Sequence, residues 1–537
     1  MRVKTVVLSA LGTLPLLGGV ACDNEARDER AESGVSQRSG DDNNDDSNDD
    51  SNDDSNGDSD ECDNVDALVE DVRALVAHHG LSPLAAPEPI RAELVTLGRA
   101  LFHDKILSGQ RDVSCGTCHN PGLGLADARP LFSGVGGSGV GLDRVGGQVG
   151  GRHSQTLFNL HALETLAIDG KVEQVAGGVV HGFGLPLLPP EVQAAFEDFP
   201  AVLRPRVVAA QALGPQATAA EMLGFAGQDP DNEIVECVTD VPSPEMFACI
   251  FERYMTRLGQ IPEYVDMFEN AYGAPYETLN FGHVGNAIAA YELAAFTSNN
   301  SPWDQFLAGD DCALTNNQLR GARRFLDEGA ANCVGCHSGD ALTDNQFHQT
   351  LAPQFGCGSD VLGRRNGPNG LDDFGRVRNV FELAFAWIFY PSSSDAIFPV
   401  EQRYAWRTPP LRNVEFTAPY GRLGQFSTLE EYVTHYMDPE VALVEFDITQ
   451  LPDTAFDNYS GFACQAESLH QSLVDNADAI LDAGVDPALA QVSVDDKKQV
   501  KQLVEFLKAL SDEGARPEVL VETIPDSVPS GLPVDHP

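Results

Sequence analysis

The pentapeptide Cys-x-x-Cys-His occurs twice in this chain of 537 residues, as CGTCH at 115–119 and as CVGCH at 333–337. Two thiols two residues apart can add to the two vinyl groups of one haem, and the histidine that follows then lies beneath the iron. Two well-separated copies predict two covalently bound haem c groups. The predicted attachment residues are Cys115, Cys118, Cys333 and Cys336.

Two other uses of paired cysteines fit the sequence less well. A zinc site needs four ligands, and no second Cys-x-x-Cys lies close to either copy. A thioredoxin-like redox motif needs a βαβ context, which the flanking stretches LSGQRDVS and RRFLDEGAAN do not offer. Haem attachment therefore remains the favoured interpretation.

The first 22 residues have the pattern of a secretory signal, which predicts export. Arg2 and Lys4 precede an apolar core from Val6 to Leu17, which is short for a membrane span. The segment ends in GVAC at 19–22, which resembles a bacterial lipoprotein cleavage site, so that Cys22 is a candidate for lipidation. The alternative is an ordinary signal peptide with an incidental cysteine. Either way we expect the periplasm or cell envelope.

Residues 23–62 are acidic and nearly free of apolar side chains, which predicts a disordered linker. Calcium binding by its Asp pairs is an alternative, although no stretch has the ligand pattern of a defined site. The whole chain carries 81 acidic and 34 basic residues, a net charge of −47. This charge argues against a nucleic-acid partner. It could attract a basic electron donor, or serve solubility alone.

Six cysteines remain after the haem motifs and Cys22 are set aside, and an even number in an exported chain suggests disulfides. Our single predicted pairing joins Cys237 to Cys249, which flank one short insertion. The other four cysteines are Cys62, Cys312, Cys357 and Cys464.

Apolar residues recur at helical spacing in five stretches, and period-two runs of β-branched residues are scarce. The five stretches are NVDALVEDVRALVAHHG, IRAELVTLGRALF, VGNAIAAYELAAF, LRGARRFL and DDKKQVKQLVEFLKAL. Long Gly-rich and Pro-rich loops separate them. We predict an all-α, loop-rich chain with little β, in which each half wraps one haem.

Several segments in a fixed order resemble the bacterial di-haem cytochrome c peroxidases and the related MauG-like enzymes. They include LGRALFHDKILSGQRDVSCGTCHN, RHSQTLFN, IDGKVEQ, CVGCHSGDALTDNQFH, TPPLRNVEFTAPY and STLEEYVTHY. The resemblance covers about 92–176 and 280–512 and implies two cytochrome-c-like domains packed together. We place the N-terminal domain, with the peroxidatic haem and insertions, at 63–280. The C-terminal electron-transfer domain is placed at 281–515, and a Pro-rich tail at 516–537.

The resemblance assigns the proximal iron ligands to His119 and His337. For the distal ligand of the C-terminal haem, standard peroxidases have Met and MauG-like members have Tyr. The aligned residues here predict Tyr436, with Met437 as the alternative. A phenolate favours oxidised iron, whereas a thioether raises the reduction potential.

Standard members hold a blocking histidine in the loop after the first motif, but residues 131–150 of this chain contain none. We therefore expect an open first iron, with His153, His161 and His181 as the nearby histidines that could still bind it. In the family a glutamate moves the peroxide protons. Glu221 is the matching candidate for this catalytic role.

Two positions depart from the family pattern. Ile168 stands where the family often has a tryptophan that relays electrons between the haems, so Trp406 is our candidate relay. The family's interdomain calcium uses an Asn where this chain has His153. Thr417 and Pro419 remain as candidate calcium ligands.

Three functions follow from the resemblance. The first is a peroxidase that reduces hydrogen peroxide at the N-terminal haem, with electrons from a small cytochrome c or cupredoxin relayed through the C-terminal haem. The second is MauG-like oxidation of a partner protein or other substrate through high-valent haem. The third is a non-enzymatic di-haem electron carrier, which an open iron disfavours. No nucleic acid is expected, and a membrane is contacted only through the lipid on Cys22.

Overall fold

The computed structural model describes residues 66–174, 180–181, 189–197, 206–239, 243–355, 365–366, 372–373, 375, 403–450, 466–489, 492, 494 and 496–537. The predicted signal peptide with Cys22 and the acidic linker lie outside these residues. So do three of the remaining cysteines, Cys62, Cys357 and Cys464.

Helices dominate the described part of the chain. The α-helices are α1 (Asp66–His79), α2 (Ala92–His103), α3 (Cys115–Cys118), α4 (Pro190–Glu197), α5 (Arg206–Gln211), α6 (Pro244–Gly259), α7 (Pro262–Tyr272), α8 (Phe281–Ala295), α9 (Pro302–Leu307), α10 (Asn316–Leu326), α11 (Leu429–His435), α12 (Pro439–Val444), α13 (Ala466–Ala483), α14 (Lys497–Lys508) and α15 (Pro517–Leu520). The five stretches with helical spacing lie on α1, α2, α8, α10 and α14, which confirms the helix-rich prediction.

The described strands are only two or three residues long and pair in antiparallel fashion. They are β1 (Gly137–Ser138), β2 (Val145–Gly146), β3 (Thr165–Leu166), β4 (Val172–Gln174), β5 (Val180–His181), β6 (Phe347–His348), β7 (Arg365–Asn366), β8 (Asp372–Asp373) and β9 (Trp406–Arg407). The pairs are β1 with β2, β3 with β4 and β4 with β5, β6 with β9, and β7 with β8. These short strand pairs connect neighbouring loops and do not form a layer of the fold.

Two helix pairs cross at a glycine, one pair in each half of the chain. A Cβ atom on Gly98 of α2 would lie 1.8 Å from the carbonyl oxygen of Ala287 in α8. A Cβ atom on Gly321 of α10 would lie 1.9 Å from the carbonyl oxygen of Gln502 in α14. Only glycine allows backbones to approach this closely. The two halves therefore repeat one arrangement of helices.

In each half, an asparagine with a left-handed backbone lies after the haem motif. Its side chain bonds to the residues just beyond one of the two crossing helices, α8 in the first half and α14 in the second. Asn159 and Asn413 have φ values of 56° and 61°. The side-chain oxygen of Asn159 accepts the Ser298 N–H at 2.8 Å, and that of Asn413 accepts the Asp512 N–H at 2.9 Å. Asn tolerates positive φ better than most residues. These matched turns extend the repeat beyond the helices.

Helices near the two ends of the described chain pack in the hydrophobic core of the opposite half. Helix α1 lies at the start of the described chain, yet its Val72 is buried in the core that contains Leu319 and Phe506. Helix α15, in the segment predicted as a tail, buries Leu520 in the core that contains Leu101. Helix α8 begins at Phe281, yet its Ile288 also lies in that core. The boundaries predicted at 63–280 and 281–515 therefore do not match the membership of the two cores at α1 and α8.

A disulfide joins Cys237 to Cys249, with Cα atoms 5.6 Å apart, and confirms the predicted pairing. The bond ties the short 3-10 helix Glu233–Cys237 to α6. Cys312 is also disulfide-bonded.

Among the described helices, none combines the length and the apolar character needed to cross a bilayer.

Candidate haem sites

The first motif forms a single helical turn that presents two cysteines and a histidine. Ser114 precedes the turn, and its backbone N–H donates to the hydroxyl oxygen of Thr117 at 2.9 Å. The Nδ1 of His119 donates to the carbonyl oxygen of Leu125 at 3.2 Å. Because a carbonyl only accepts, the proton is on Nδ1, which leaves Nε2 available as a metal ligand.

The second motif repeats this arrangement. The Nδ1 of His337 donates to the carbonyl oxygen of Leu342 at 3.1 Å. Leu125 and Leu342 both adopt a left-handed backbone, with φ values of 62° and 55°. A hydrogen bond to the second ring nitrogen is the usual way in which a metal-binding histidine is oriented.

The donor atoms of both motifs suit covalent haem attachment. The four motif cysteines are not in disulfides. Burial raises the pKa of the Cys118 and Cys333 thiols to about 12. Burial also lowers the pKa of His119, and lowers that of His337 to about 4, so that both imidazoles are neutral at pH 7. Each motif therefore presents a neutral imidazole, which can bind iron. It also presents two protonated thiols, which can add to the haem vinyl groups.

Glu221 lies beside the first motif, held by the loop after it. It belongs to a π-helical turn, Ala219–Leu223, and its carbonyl oxygen accepts the Val135 N–H at 3.1 Å. The Sγ of Cys118 lies 3.9 Å from the carbonyl oxygen of Ser133 in the same loop. Burial has the largest effect on the pKa of His119 and lowers it, whereas the nearby charge of Glu221 raises it. The structure therefore brings this candidate close to the first motif.

Two amide side chains that precede Glu221 in the chain, Gln211 and Gln216, escaped the sequence analysis. Gln216 is fully buried, and within the described chain neither its amide nitrogen nor its amide oxygen has a hydrogen-bond partner. The same holds for the side-chain oxygen of Gln211. Buried polar atoms normally find partners, so these amide atoms remain available to hydrogen-bond a bound group. No sequence pattern distinguishes them from ordinary loop glutamines.

The three nearby histidines differ in what the structure shows. The Nδ1 of His153 donates to the Arg129 carbonyl oxygen at 2.7 Å, and burial lowers the pKa of this imidazole to about 4. The Nε2 of His161 donates to the Ala85 carbonyl oxygen at 2.8 Å. His181 lies in β5, and its side chain is outside the described structure.

Tyr436 lies beside the second motif, directly after α11. Its ring stacks on Tyr432 with centroids 5.2 Å apart. Burial raises the pKa of Tyr436 well above that of free phenol, and Tyr432 and the thiols of Cys336 and Cys333 add to this. A phenolate would therefore form here only with a cation alongside. The alternative ligand, Met437, is half-buried in the next position.

Trp406 lies against the segment that contains Ile168. The N–H of the next residue, Arg407, donates to the Ile168 carbonyl oxygen at 2.9 Å. The guanidinium carbons of Arg422 and Arg152 lie 4.3 and 5.2 Å from the Trp406 ring centroid. The tryptophan is buried, with 7% of its surface exposed. Trp406 therefore lies close to the backbone of Ile168.

Buried ion pairs surround Trp406 and join the two halves. Arg152 contacts Asp169 and Asp373, with nitrogen–oxygen distances of 2.8 Å for both pairs. Arg422 lies 3.7 Å from Asp373. Arg407, the residue after Trp406, is a third buried cation in this region and also interacts with Asp169.

The two candidate calcium ligands lie in the described part of the chain, and their contacts do not test calcium binding. The hydroxyl of Thr417 donates to the Val414 carbonyl oxygen at 3.0 Å. Among described residues, two groups of His, Cys, Asp or Glu side chains have their ligand atoms within 4.8 Å of one another. The groups are His78, His79 and Glu328, and Cys336, Asp344 and His348.

Residues 92–312 match the family model of the di-haem cytochrome c peroxidases. The methylamine utilization protein MauG of Methylorubrum extorquens is 27% identical over 376 residues, which cover 69% of this chain and 77% of MauG. The cytochrome c551 peroxidase of Pseudomonas aeruginosa is 28% identical over 350 residues, which cover 64% of this chain and 72% of that enzyme. A solved MauG-like protein associated with microbial copper homeostasis aligns with a TM-score of 0.49 and 20% identity, covering 82% of this chain and 97% of that one.

The matched residues 92–312 include the first Cys-x-x-Cys-His motif and end before the second. The chain is therefore similar to the di-haem cytochrome c peroxidases over 92–312, and to MauG and a cytochrome c551 peroxidase over about two thirds of its length, a family whose name implies two c-type haems.

Proposed function

We propose that this protein is a di-haem peroxidase in which hydrogen peroxide reacts at the first haem and electrons arrive through the second. The carrying observation is the difference between the motifs: Glu221 lies beside the first, and Tyr436 lies beside the second. In this proposal each half is a cytochrome-c-like domain, and the repeated helix crossings support that assignment.

The haem at the first motif would supply an iron that binds and reduces peroxide. Glu221 would take the proton from one peroxide oxygen and return it to the leaving oxygen. His119, oriented by Leu125, would hold the iron from the opposite side. Residues 131–150 contain no histidine that could block the peroxide position, which supports an iron that is open at rest.

At the second haem, His337 and Tyr436 would bind the two faces of the iron, with Met437 as the alternative to the tyrosine. Trp406 would relay electrons between the sites in place of the missing aromatic at Ile168. Its location against Ile168 supports this role. The variant Trp406→Phe should slow transfer between the haems, and adding Ile168→Trp should restore it.

MauG-like oxidation of a partner protein is the second candidate, and Tyr436 favours it. An anionic oxygen ligand stabilises oxidised iron, which suits a site that stores oxidising equivalents. Standard peroxidases are expected to have a methionine instead.

The experiment that separates the candidates adds one equivalent of hydrogen peroxide to the fully ferric protein and records the visible spectrum. Prompt loss of the ferric bands supports an open first iron and the MauG-like variant of the chemistry. A reaction that starts only after the second haem is reduced supports a standard peroxidase cycle. No reaction in either state would rule out both.

The remaining assignments stay predictions. Export to the periplasm or cell envelope rests on residues 1–22, and anchoring rests on Cys22. A small basic cytochrome or cupredoxin would suit the acidic chain as a donor. Calcium at Thr417 and Pro419 can be checked by measuring the metal content of the purified protein.

A further inference from the structure

The last residues of the sequence lie on the first haem motif. Asp535 is buried, and one carboxylate oxygen accepts a hydrogen bond from the hydroxyl of Thr117, inside CGTCH. Its other carboxylate oxygen lies 2.6 Å from the Nζ of Lys105. Its backbone carbonyl accepts from the side-chain nitrogen of Asn120 at 3.4 Å. One residue therefore holds the chain on both sides of His119.

Neighbouring contacts fix this tail in place. The hydroxyl of Ser530 donates to the carboxylate of Asp104 at 2.6 Å, and Asp104 is fully buried. The ring of Pro537 lies so close to Gly122 that a Cβ atom there would be 2.5 Å from the ring. The tail is therefore packed against the motif along several residues.

The second motif differs at the matching positions. Gly335 takes the place of Thr117 and is exposed, and Ser338 takes the place of Asn120. Glycine has no side chain with which to reach a carboxylate. The two motifs therefore share their histidine geometry but not this contact.

We infer that Asp535 is a positioning residue for the first haem: it fixes the turn that carries His119 and places a negative charge, balanced by Lys105, beside that haem. The inference rests on the proposed attachment of haem at Cys115 and Cys118. A negative charge stabilises ferric iron relative to ferrous iron, and a positive charge does the opposite.

The test uses the full chain with both haems and measures the reduction potential of each. Asp535→Asn removes the negative charge and should favour reduction of the first haem. Lys105→Met removes the positive charge and should disfavour it. Each single variant should change the reduction equilibrium on the order of tenfold, and the double variant should return close to the parent. The second haem serves as the internal control.

If Asp535 and Lys105 served only to hold the fold, both variants should shift the reduction potential of the first haem in the same direction. Equal shifts at both haems, shifts of the same sign, or no shift would overturn the inference. If Asp535→Asn does not accumulate, the sign of the Lys105→Met shift decides. Thr117→Val keeps both charges, so it should leave the potential nearly unchanged.

Amide hydrogen exchange provides a readout that does not depend on haem. In Asp535→Asn and in Thr117→Val, exchange at residues 117–120 should accelerate, while exchange at 335–338 stays as in the parent. Unchanged exchange at 117–120 would overturn the positioning role. Mass spectrometry that finds no haem on Cys115 and Cys118 of the parent would instead reject the proposed function, and the exchange result would still judge the tail contact.

Discussion

The two halves of this protein hold their motifs in the same way but surround them differently. Each half crosses two helices at a glycine and orients the motif histidine through a left-handed leucine. Only the first motif has Glu221 and the tail beside it, and only the second has Tyr436. The shared features lie in the motif histidines and the helices that hold them, whereas the differing features are the side chains to which our proposal assigns separate roles at each iron.

The difference also concerns access. Thr117 is fully buried, whereas its counterpart Gly335 is exposed. The turn of the second motif therefore reaches the surface of the described structure at a position that is covered at the first.

The largest expected effect comes from Glu221→Gln. If Glu221 moves the peroxide protons, the second-order rate with hydrogen peroxide should fall by about 10²- to 10⁴-fold, while both haem spectra remain. Stopped-flow absorbance measures this rate. Glu236→Gln, at a glutamate whose side chain is 68% exposed, is the matched control. A parent-like rate in Glu221→Gln would remove the main chemical difference between the halves.

Tyr436→Met should make the second iron resemble that of a standard peroxidase. A thioether favours ferrous iron, so the potential of the second haem should rise by tenths of a volt, within the span of about 0.8 V that axial ligands provide. Spectroelectrochemistry measures the change, with the first haem of the same protein as the internal control. A change confined to the first haem would contradict the assignment of this tyrosine.

Gly98→Ala and Gly321→Ala test whether the two halves share the same close crossing of helices at a glycine. Each new methyl group would meet a carbonyl oxygen of the crossing helix, so each should lower the free energy of unfolding by about 1–3 kcal/mol. Urea denaturation measures the loss. The exposed neighbours Thr96 and Arg320 offer alanine controls, with expected changes within about 0.5 kcal/mol. Strongly unequal losses at the two glycines would argue against a common arrangement.

The smallest effect concerns an imidazolium beside the second motif. His348 contacts Asp344 at 2.9 Å and Asp486 at 2.8 Å, and Asp344 foremost raises its pKa to about 11. A raised pKa gives stability that is fully present below about pH 6.5 and is lost as the pH rises through about 11.

His348→Asn should therefore cost about 0.5–1.5 kcal/mol at pH 6, because solvent screens this partly exposed group, and less at pH 10, as measured by urea unfolding at each pH. His78→Asn, at an exposed histidine, is the control. A cost that does not depend on pH would show that His348 contributes through packing alone.

Sequence patterns predicted the parts of this molecule that depend on neighbours in the chain. Helical periodicity located α2 and α14, and motif spacing located His119 and His337. The Cys237–Cys249 bond followed from one short insertion. Each of these depends on a local pattern of residue types.

Long-range contacts left no such trace. Asp535 lies 418 positions from Thr117 in a segment with no motif, so nothing in PVDHP indicated its contact. The packing of α1 in the second core and the proximity of Trp406 to Ile168 were equally hidden. Such contacts are decided by which surfaces remain uncovered after the halves form.

The contact between Asp535 and Thr117 also bears on the order in which the first motif is completed. The two residues lie 418 positions apart, so the contact cannot form until the chain between them has been made. Until then, Thr117 lacks the carboxylate that accepts its hydroxyl hydrogen in the folded protein. The first motif is thus held by a part of the chain that is made long after it.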